Sequence, residues 1–350
     1  IVARGVFATP AVEHGFLETE CSVAVPENGG GRVHSQAQGI WHDRSGIAAL
    51  LGLDPEKVRV TRVDPGGAFG GKEDLSAQGH AALAAHLLGR PVKVRFSRPE
   101  SLRFHPKRHA MRMEYALGCD SGGMLTALHA RIVGDTGAYA SLGGPVMARA
   151  ANHATGAYCV PCVDIESRAV FTNNIPAGAM RGFGVNQVTF AMESLVEELC
   201  VRGGFDPWQF RYDNALDEGR LTASGQRLGG GIGLRRSLEA VREAYREAPH
   251  AGLACGIKNT GIGGGVLEEC RVRLTVLPGG RVRLDHGWTE MGQGLDTVAA
   301  QILCETLGLT DMGLVEVRSD TVSGALAGST TASRGTFQLG RAVIDAGLAL

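Results

Sequence analysis

Hydrophobic and polar positions change period several times along the chain, and each change predicts an element. Residues 1–25 read as a loop followed by an alternating strand, and 26–31 as a Gly-rich turn. Residues 32–35 fit a short strand, 45–53 have the spacing of a short helix, and 58–63 alternate as a strand does. A Gly-rich segment follows. Then 75–88, rich in Ala and Leu, predicts a buried helix ended by Gly89 and Pro91, and 92–96 a strand. Alternating strands fill 109–135 around a turn at Asp120-Ser-Gly-Gly123. Helical spacing returns at 186–201, 207–216 and 234–248. Gly and polar residues cluster at 218–232, which suggests domains 1–225 and 226–350. Strands at 268–276 and 281–288 flank Leu277-Pro-Gly-Gly280, a hairpin signal. A helix at 295–307, a strand at 313–318 and a helix at 337–350 complete a pattern of α+β type without a regular βα repeat.

A length of 350 residues suits about two domains. The balance of 35 basic and 36 acidic residues offers no basic excess for nucleic acid. No apolar run is long enough to predict a membrane span. The opening Ile-Val-Ala-Arg-Gly has neither an initiator Met nor a signal pattern, and reads as an internal cut. The cysteines (21, 119, 159, 162, 200, 255, 270 and 304) are scattered, which favours reduced, buried thiols and a cytoplasmic location. Cys159-Val-Pro-Cys162 lacks a second pair at metal spacing, so it reads as two ordinary buried cysteines near a strand.

Gly supplies 51 residues without a period, which points to tight turns and close approach of backbone to a large ligand. Three Gly-rich segments stand out. Gly66-Gly-Ala-Phe-Gly-Gly-Lys-Glu73 lies between a strand and a helix, and is not a P-loop because Glu73 stands where Ser or Thr is needed. Ala179-Met-Arg-Gly-Phe-Gly-Val-Asn-Gln187 opens a helix. Glu290-Met-Gly-Gln-Gly-Leu-Asp296 sets an amide between glycines just before another, which suits a phosphorylated or polyoxygenated ligand. Each alone reads equally well as a Gly turn that starts a helix.

Taken together and in this order, the segments resemble the cofactor-contacting loops of the xanthine dehydrogenase/aldehyde oxidase family. The likeness continues through Glu13-His-Gly-Phe-Leu-Glu-Thr-Glu20, His34-Ser-Gln-Ala-Gln38 and Ser329-Thr-Thr-Ala-Ser-Arg334. Asp74 and His105-Pro-Lys-Arg-His109 are most similar to the bacterial purine-hydroxylase branch. The resemblance implies two successive molybdenum-cofactor-binding domains with mixed sheets and packed helices. It also implies molybdenum held by a pterin dithiolene, in bacteria often in the cytosine dinucleotide form, with no side-chain ligand. A 2Fe-2S centre and FAD are expected on partner domains or subunits, in a dimer of the full complex. The implied reaction is hydroxylation of an N-heterocycle such as xanthine or hypoxanthine, with water as oxygen source. The alternatives are an aldehyde or other aromatic-heterocycle hydroxylase, or a non-catalytic cofactor-binding module.

Position by position, Gln38 resembles the amide near the metal's oxo ligand. Phe69, Gly70 and Arg181 resemble the backbone beside the metal. Gly292, Gln293 and Gly294 resemble the pterin-holding loop, and Ala332 and Ser333 a further pterin or nucleotide contact. Phe183 resembles the aromatic that stacks on a flat substrate, and Glu73 and Arg149 the pair that reads a purine. On their own, Glu73 also reads as a helix-capping carboxylate and Arg149 as a surface residue. A second clamping Phe of the family falls in Thr260-Gly-Ile-Gly-Gly-Gly265, where only Gly is available, so a wider slot is expected. No Glu lies in a segment like that of the family's general base, so none is assigned here, and the chain alone is expected to be inactive.

Overall fold

The computed structural model describes residues 1–263, 266 and 268–350. In chain order the first half runs β1 (Val2–Thr9), β2 (Cys21–Glu27), β3 (Gly30–Ser35), α1 (Ile40–Leu51), β4 (Val58–Arg62), α2 (Ala77–Leu88), β5 (Val92–Arg95), α3 (Arg98–Phe104), β6 (Met111–Cys119) and β7 (Leu125–Gly137). The second half runs α4 (Gly143–Asn152), β8 (Cys162–Phe171), α5 (Val185–Gly203), α6 (Pro207–Asn214), α7 (Leu234–Glu247), β9 (Val272–Val276), β10 (Val282–His286), α8 (Leu295–Leu307), β11 (Val315–Ser319) and α9 (Gly335–Leu348). The α+β expectation holds. The chain divides into two compact units, each made of two stretches: 1–13 with 106–258, and 14–105 with 259–350.

The first unit is a four-stranded sheet in the order β1-β6-β7-β8. Strict alternation along β6 sends Met111, Met113, Tyr115, Leu117 and Cys119 inward and Arg112 and Glu114 outward. These inner residues meet Val188, Met192, Leu195 and Leu199 from α5 in one core. Helix α4 makes the crossover between β7 and β8, which pair in parallel. The unit differs from the sequence expectation at its first strand, and it holds a helix in a stretch to which the sequence reading assigns no element. Residues 2–9 form a strand rather than a loop, because β6 offers them a full antiparallel partner from Met111 to Gly118. Helix α4 opens on Gly-Gly-Pro, a turn signal that tertiary packing of Val146, Met147 and Ala150 overrides.

The second unit holds two sheets, β4-β3-β2-β5 and β11-β10-β9. Helices α1 and α2 cover the first through Ile40, Ile47, Ala81, Ala82 and Ala85. Helices α8 and α9 cover the second through Leu295, Leu303, Leu339 and Val343. The sheets are stitched by the Trp41 indole N–H, which donates to the Ala325 carbonyl at 2.9 Å, and by the Val60 N–H, which donates to Thr321 Oγ1 at 2.9 Å. At Gly287 a Cβ would lie 2.6 Å from Trp41 Nε1 and 2.7 Å from the Ala327 nitrogen, so only glycine fits there. All eight cysteines are free thiols, but Cys159 is only half-buried and Cys162 is exposed at the head of β8, so the buried reading of the CxxC pair does not hold. Among the described residues no helix is long and apolar enough to cross a membrane.

Candidate functional site

In the second unit, Gln38 sits in the short link between β3 and α1 and is almost fully buried. Its Oε1 accepts from the Gly70 N–H at 3.0 Å and the Lys72 N–H at 3.2 Å, while Nε2 donates to the Thr330 carbonyl at 2.9 Å. The Gln38 N–H donates to the Lys72 carbonyl at 2.8 Å, and the Thr330 N–H to the Gln38 carbonyl at 2.6 Å. One amide thus clips the loop around Phe69 to the Ser329–Ser333 loop. The link is held from beneath by Ser35, whose hydroxyl donates to buried Asp43 at 2.6 Å and accepts from the Ala37 N–H at 3.1 Å. Burial raises the Asp43 pKa to about 6, against the hydrogen bonds from Ser35 and Gln78. Sequence reasoning missed Asp43; its only signal is an acid on the buried face of a helix.

Phe69 and Gly70 take left-handed backbone, with φ of 55° and 100°. Lys72 is turned inward, paired with Glu18 and set 4.5 Å over the Phe16 ring, and burial lowers its pKa to about 7. It is therefore not a phosphate-binding lysine of P-loop type.

The Glu290–Asp296 loop corrects one physical expectation. Its N–H groups are already occupied: Glu290 accepts from Gly292 at 2.6 Å, Gly294 at 3.0 Å and Asp296 at 3.1 Å. The carboxylate at the start of the motif fills the anion site that the N-terminus of α8 would otherwise offer. The Gln293 amide also serves its own loop, accepting from the Met291 N–H at 2.5 Å and donating to the Thr289 carbonyl at 2.9 Å. Gly292 and Gly294 are left-handed (φ 98° and 82°), and a Cβ on either would meet nothing within 4 Å. The glycines serve backbone shape and leave open space in front of the loop.

Ala332 and Ser333 are consecutive left-handed residues (φ 58° and 53°), an arrangement that costs about 1 kcal/mol or more at each non-glycine position. Arg334, buried behind them, holds the turn: it donates to Glu268 at 2.6 Å and to the Ser329 carbonyl at 2.8 Å, and lies 5.2 Å over Trp288. The Gly261 N–H donates to the Ala332 carbonyl at 2.9 Å. The expected wider slot at 260–265 falls partly on Gly264 and Gly265, which lie outside the described residues; Gly263 is left-handed with open space at its Cβ position.

Glu73 lies in the same unit, with Gln38 Nε2 at 3.5 Å. Burial raises its pKa to about 7, opposed by the Thr331 hydroxyl, assisted by Asp74 and opposed again by Arg334. The folded chain therefore favours the protonated acid. That contribution to stability is complete below pH 4.5, the group's ordinary value, and is lost as the pH rises through about 7. Glu73→Gln keeps the neutral shape at every pH. Its unfolding free energy relative to wild type should rise by up to about 3 kcal/mol between pH 4.5 and pH 7. A difference that stays flat across that range in chemical denaturation would contradict the burial of this acid.

In the first unit, the Arg181 carbonyl accepts from Arg108 Nη2 at 2.6 Å and from Asn186 Nδ2 at 3.2 Å. Phe183 follows, left-handed at φ 54° between left-handed Gly182 and Gly184. A Cβ at Gly184 would lie 2.6 Å from the Val146 carbonyl and 3.2 Å from the Ala150 nitrogen, so this turn rests directly on α4, the helix that carries Arg149. Burial lowers the Arg149 pKa. Behind the turn, Gln187 Nε2 donates to the His109 carbonyl at 3.2 Å.

Two family profiles, each described as a molybdopterin cofactor-binding domain, match residues 1–215 and 233–350 of this chain. Among known proteins, a "Probable xanthine dehydrogenase" component from Bacillus subtilis is 36% identical over 98% of this chain and 47% of its own length. The "Nicotinate dehydrogenase large molybdopterin subunit" of Eubacterium barkeri is 40% identical over 69% of this chain and 57% of its own length. The chain thus spans about half the length of the curated relatives it matches. The aldehyde oxidoreductase of Desulfovibrio gigas superposes with a TM-score of 0.92 at 24% identity, over 100% of this chain and 40% of that one, a likeness of fold.

Proposed function

The chain belongs to the molybdopterin cofactor-binding domain family, and on that premise we propose that it forms the cofactor-holding catalytic part of a molybdenum-dependent oxidoreductase that hydroxylates an N-heterocycle, oxopurines first among them. The observation that carries this reading is backbone strain. Among the described residues six non-glycine positions have positive φ, and four of them, Phe69, Phe183, Ala332 and Ser333, are the positions matched to cofactor or substrate contacts. Strain of this kind persists where a ligand site needs it. The open space before Gly292 and Gly294 fits a bulky ligand such as the pterin. In this reading Gln38, Phe69, Gly70, Gly292, Gln293, Gly294, Ala332 and Ser333, together with Arg181, hold the cofactor. When bound, that group supplies two-electron redox chemistry.

The chain's own residues supply the rest. Glu73, whose pKa burial raises to about 7, can donate to or accept from a ring nitrogen or oxo group. Arg149 stabilises negative charge that develops on a ring oxo group. Phe183 offers a face for a flat ring. The relatives named for xanthine and nicotinate both act, by those names, on N-heterocycles. The same reading takes 1–225 and 226–350 as successive domains, iron–sulfur and flavin components as partners, and, supported by eight free cysteines, a cytoplasmic location.

The test uses the complete complex. It should contain about one molybdenum per active site, as the pterin-bound metal requires. Glu73→Val should lower kcat/KM for xanthine about a hundredfold while costing an aromatic aldehyde less than about fivefold, since loss of a buried hydrogen bond to a charged or polar substrate is worth about 2–3 kcal/mol. Equal losses for both substrates would reject Glu73 as the reader of the ring, and absence of molybdenum from matured complex would reject the function.

A further inference from the structure

We propose that Arg108 is a positioning residue: with Asn186 it fixes the orientation of the Arg181–Gly182 peptide, so that the Gly182 N–H is aimed at an oxygen that gains negative charge during turnover. The inference rests on the hydroxylase reading above and adds a residue to its site. All the groups involved belong to one compact unit. The Phe183 N–H donates to the Met180 carbonyl at 2.7 Å, which closes a four-residue turn. Turns of types I and II share this closing bond and differ in the central peptide, which is flipped over between them. Here the central peptide is Arg181–Gly182. Gly182 has φ 96°, which marks type II. Glycine also lets that peptide rotate cheaply, so the closing bond alone does not hold it.

Two side chains do hold it. Arg108 Nη2 donates to the Arg181 carbonyl at 2.6 Å and Asn186 Nδ2 at 3.2 Å. A Cβ at Gly182 would collide with the Asn186 amide, so a larger residue there would expel the second donor. The segment around Arg108 is anchored by its own backbone. The Arg108 N–H donates to the Val12 carbonyl at 2.9 Å, the Lys107 N–H to the Pro176 carbonyl at 3.0 Å, and the Gly178 N–H to the Lys107 carbonyl at 2.9 Å. Gln187 Nε2 donates to the His109 carbonyl at 3.2 Å. Residues 107–109 are thus tied to the chain on both sides of the turn. The guanidinium gives up solvation to lie there: burial pushes its pKa down, and Nη1 is buried with no hydrogen-bond partner among the described residues. The Arg181–Gly182 bond is trans, so its N–H points opposite to its carbonyl and away from Arg108. Among the described residues no bond takes up the Gly182 N–H, and Gly182 is half-buried. A cation on the carbonyl polarises the peptide and makes this N–H a stronger donor. A fixed donor of that kind is worth most where charge develops in the transition state.

The experiment reads the peptide and the chemistry separately. In the complete subunit, before cofactor loading, arginine carbonyls and glycine nitrogens are isotope-labelled, so that only Arg–Gly steps give paired NMR signals. The signal lost in Gly182→Ala is the one to follow. Its carbonyl should move upfield in Arg108→Met and stay near wild type in Arg108→Lys, which still brings one charged donor. In the complete molybdenum-loaded complex, Arg108→Met should lower kcat for xanthine about thirtyfold and change KM by less than about threefold, because the contact is made in the transition state. Arg108→Lys should recover kcat to within about fivefold of wild type. Both variants keep the backbone bonds of 107–109, and both should hold as much molybdenum as wild type. An unmoved carbonyl in Arg108→Met would overturn the pinning of the peptide. A kcat within about twofold of wild type, or one that falls only in step with lost molybdenum, would overturn the role in turnover. A wild-type complex that holds no molybdenum, or turns over neither xanthine nor an aldehyde, would remove the hydroxylase reading and the role in turnover with it; the carbonyl signal still decides whether Arg108 pins the peptide.

Discussion

Gln38→Ala should destabilise the protein by about 2–5 kcal/mol and deprive the complete complex of most of its molybdenum. The truncation leaves the Gly70 and Lys72 N–H groups without their acceptor and the Thr330 carbonyl without a donor. Each such group in a buried setting costs about 1–3 kcal/mol. Two loops matched to cofactor contacts lose their common anchor at the same time. Gln38→Glu sharpens the test: a carboxylate still accepts from both N–H groups, but it cannot donate to Thr330 and brings a second acid beside Glu73. It should recover part of the stability and little of the metal. Urea unfolding and metal analysis read the two effects separately. An unfolding midpoint within error of wild type for Gln38→Ala would mean that the loops are held by something else.

Arg211→Leu carries a comparable effect for a different reason. Arg211 is 1% exposed on α6, and its guanidinium donates to Glu193 at 3.0 Å, to Glu197 at 3.2 Å and to the Pro207 carbonyl at 3.0 Å. Tyr158 donates its hydroxyl to the same Glu193. Removing the cation strands a buried carboxylate, for which losses of about 3–5 kcal/mol are typical. The double variant Arg211→Leu/Glu193→Gln should recover at least half of that loss, because no buried charge is then left alone. If the double variant unfolds as easily as the single one, shape rather than charge sets the cost.

How much of this was legible beforehand depends on the range of the interaction. The loops around Phe69 and Phe183 were readable because glycine beside an aromatic announces unusual backbone, and both residues are indeed left-handed. Helices such as α2 and α5 were readable from period, and α2 also from Gly89, which stops it. What stayed hidden was the partner of each polar group. Nothing in Glu290-Met-Gly-Gln-Gly says that Glu290 folds back to occupy its own loop. The bond from Gln38 to Thr330 joins residues 292 positions apart, beyond the reach of any local pattern. Glu193 and Arg211 interrupt apolar helix faces, and only tertiary packing turns those interruptions into a buried pair. Strand β1 has the same cause: Arg4 and Gly5 weaken its local signal, and its partner lies on β6.

The pairing of β1 with β6 also sets a timetable for synthesis. Residues 2–9 leave the ribosome ahead of their partners at 111–119, which follow only after the stretch 14–105 of the other unit. At about 5–20 residues per second, β1 waits roughly 5–20 s for β6. Val2 and Val6 are then part of an unpaired strand, the kind of edge that other chains adopt. The second unit meets the reverse problem: strands β2 to β5 emerge close together, but β9 to β11 follow only after residues 106–258 of the other unit. Interleaved units of this kind give high contact order, and high contact order slows closure of the sheets.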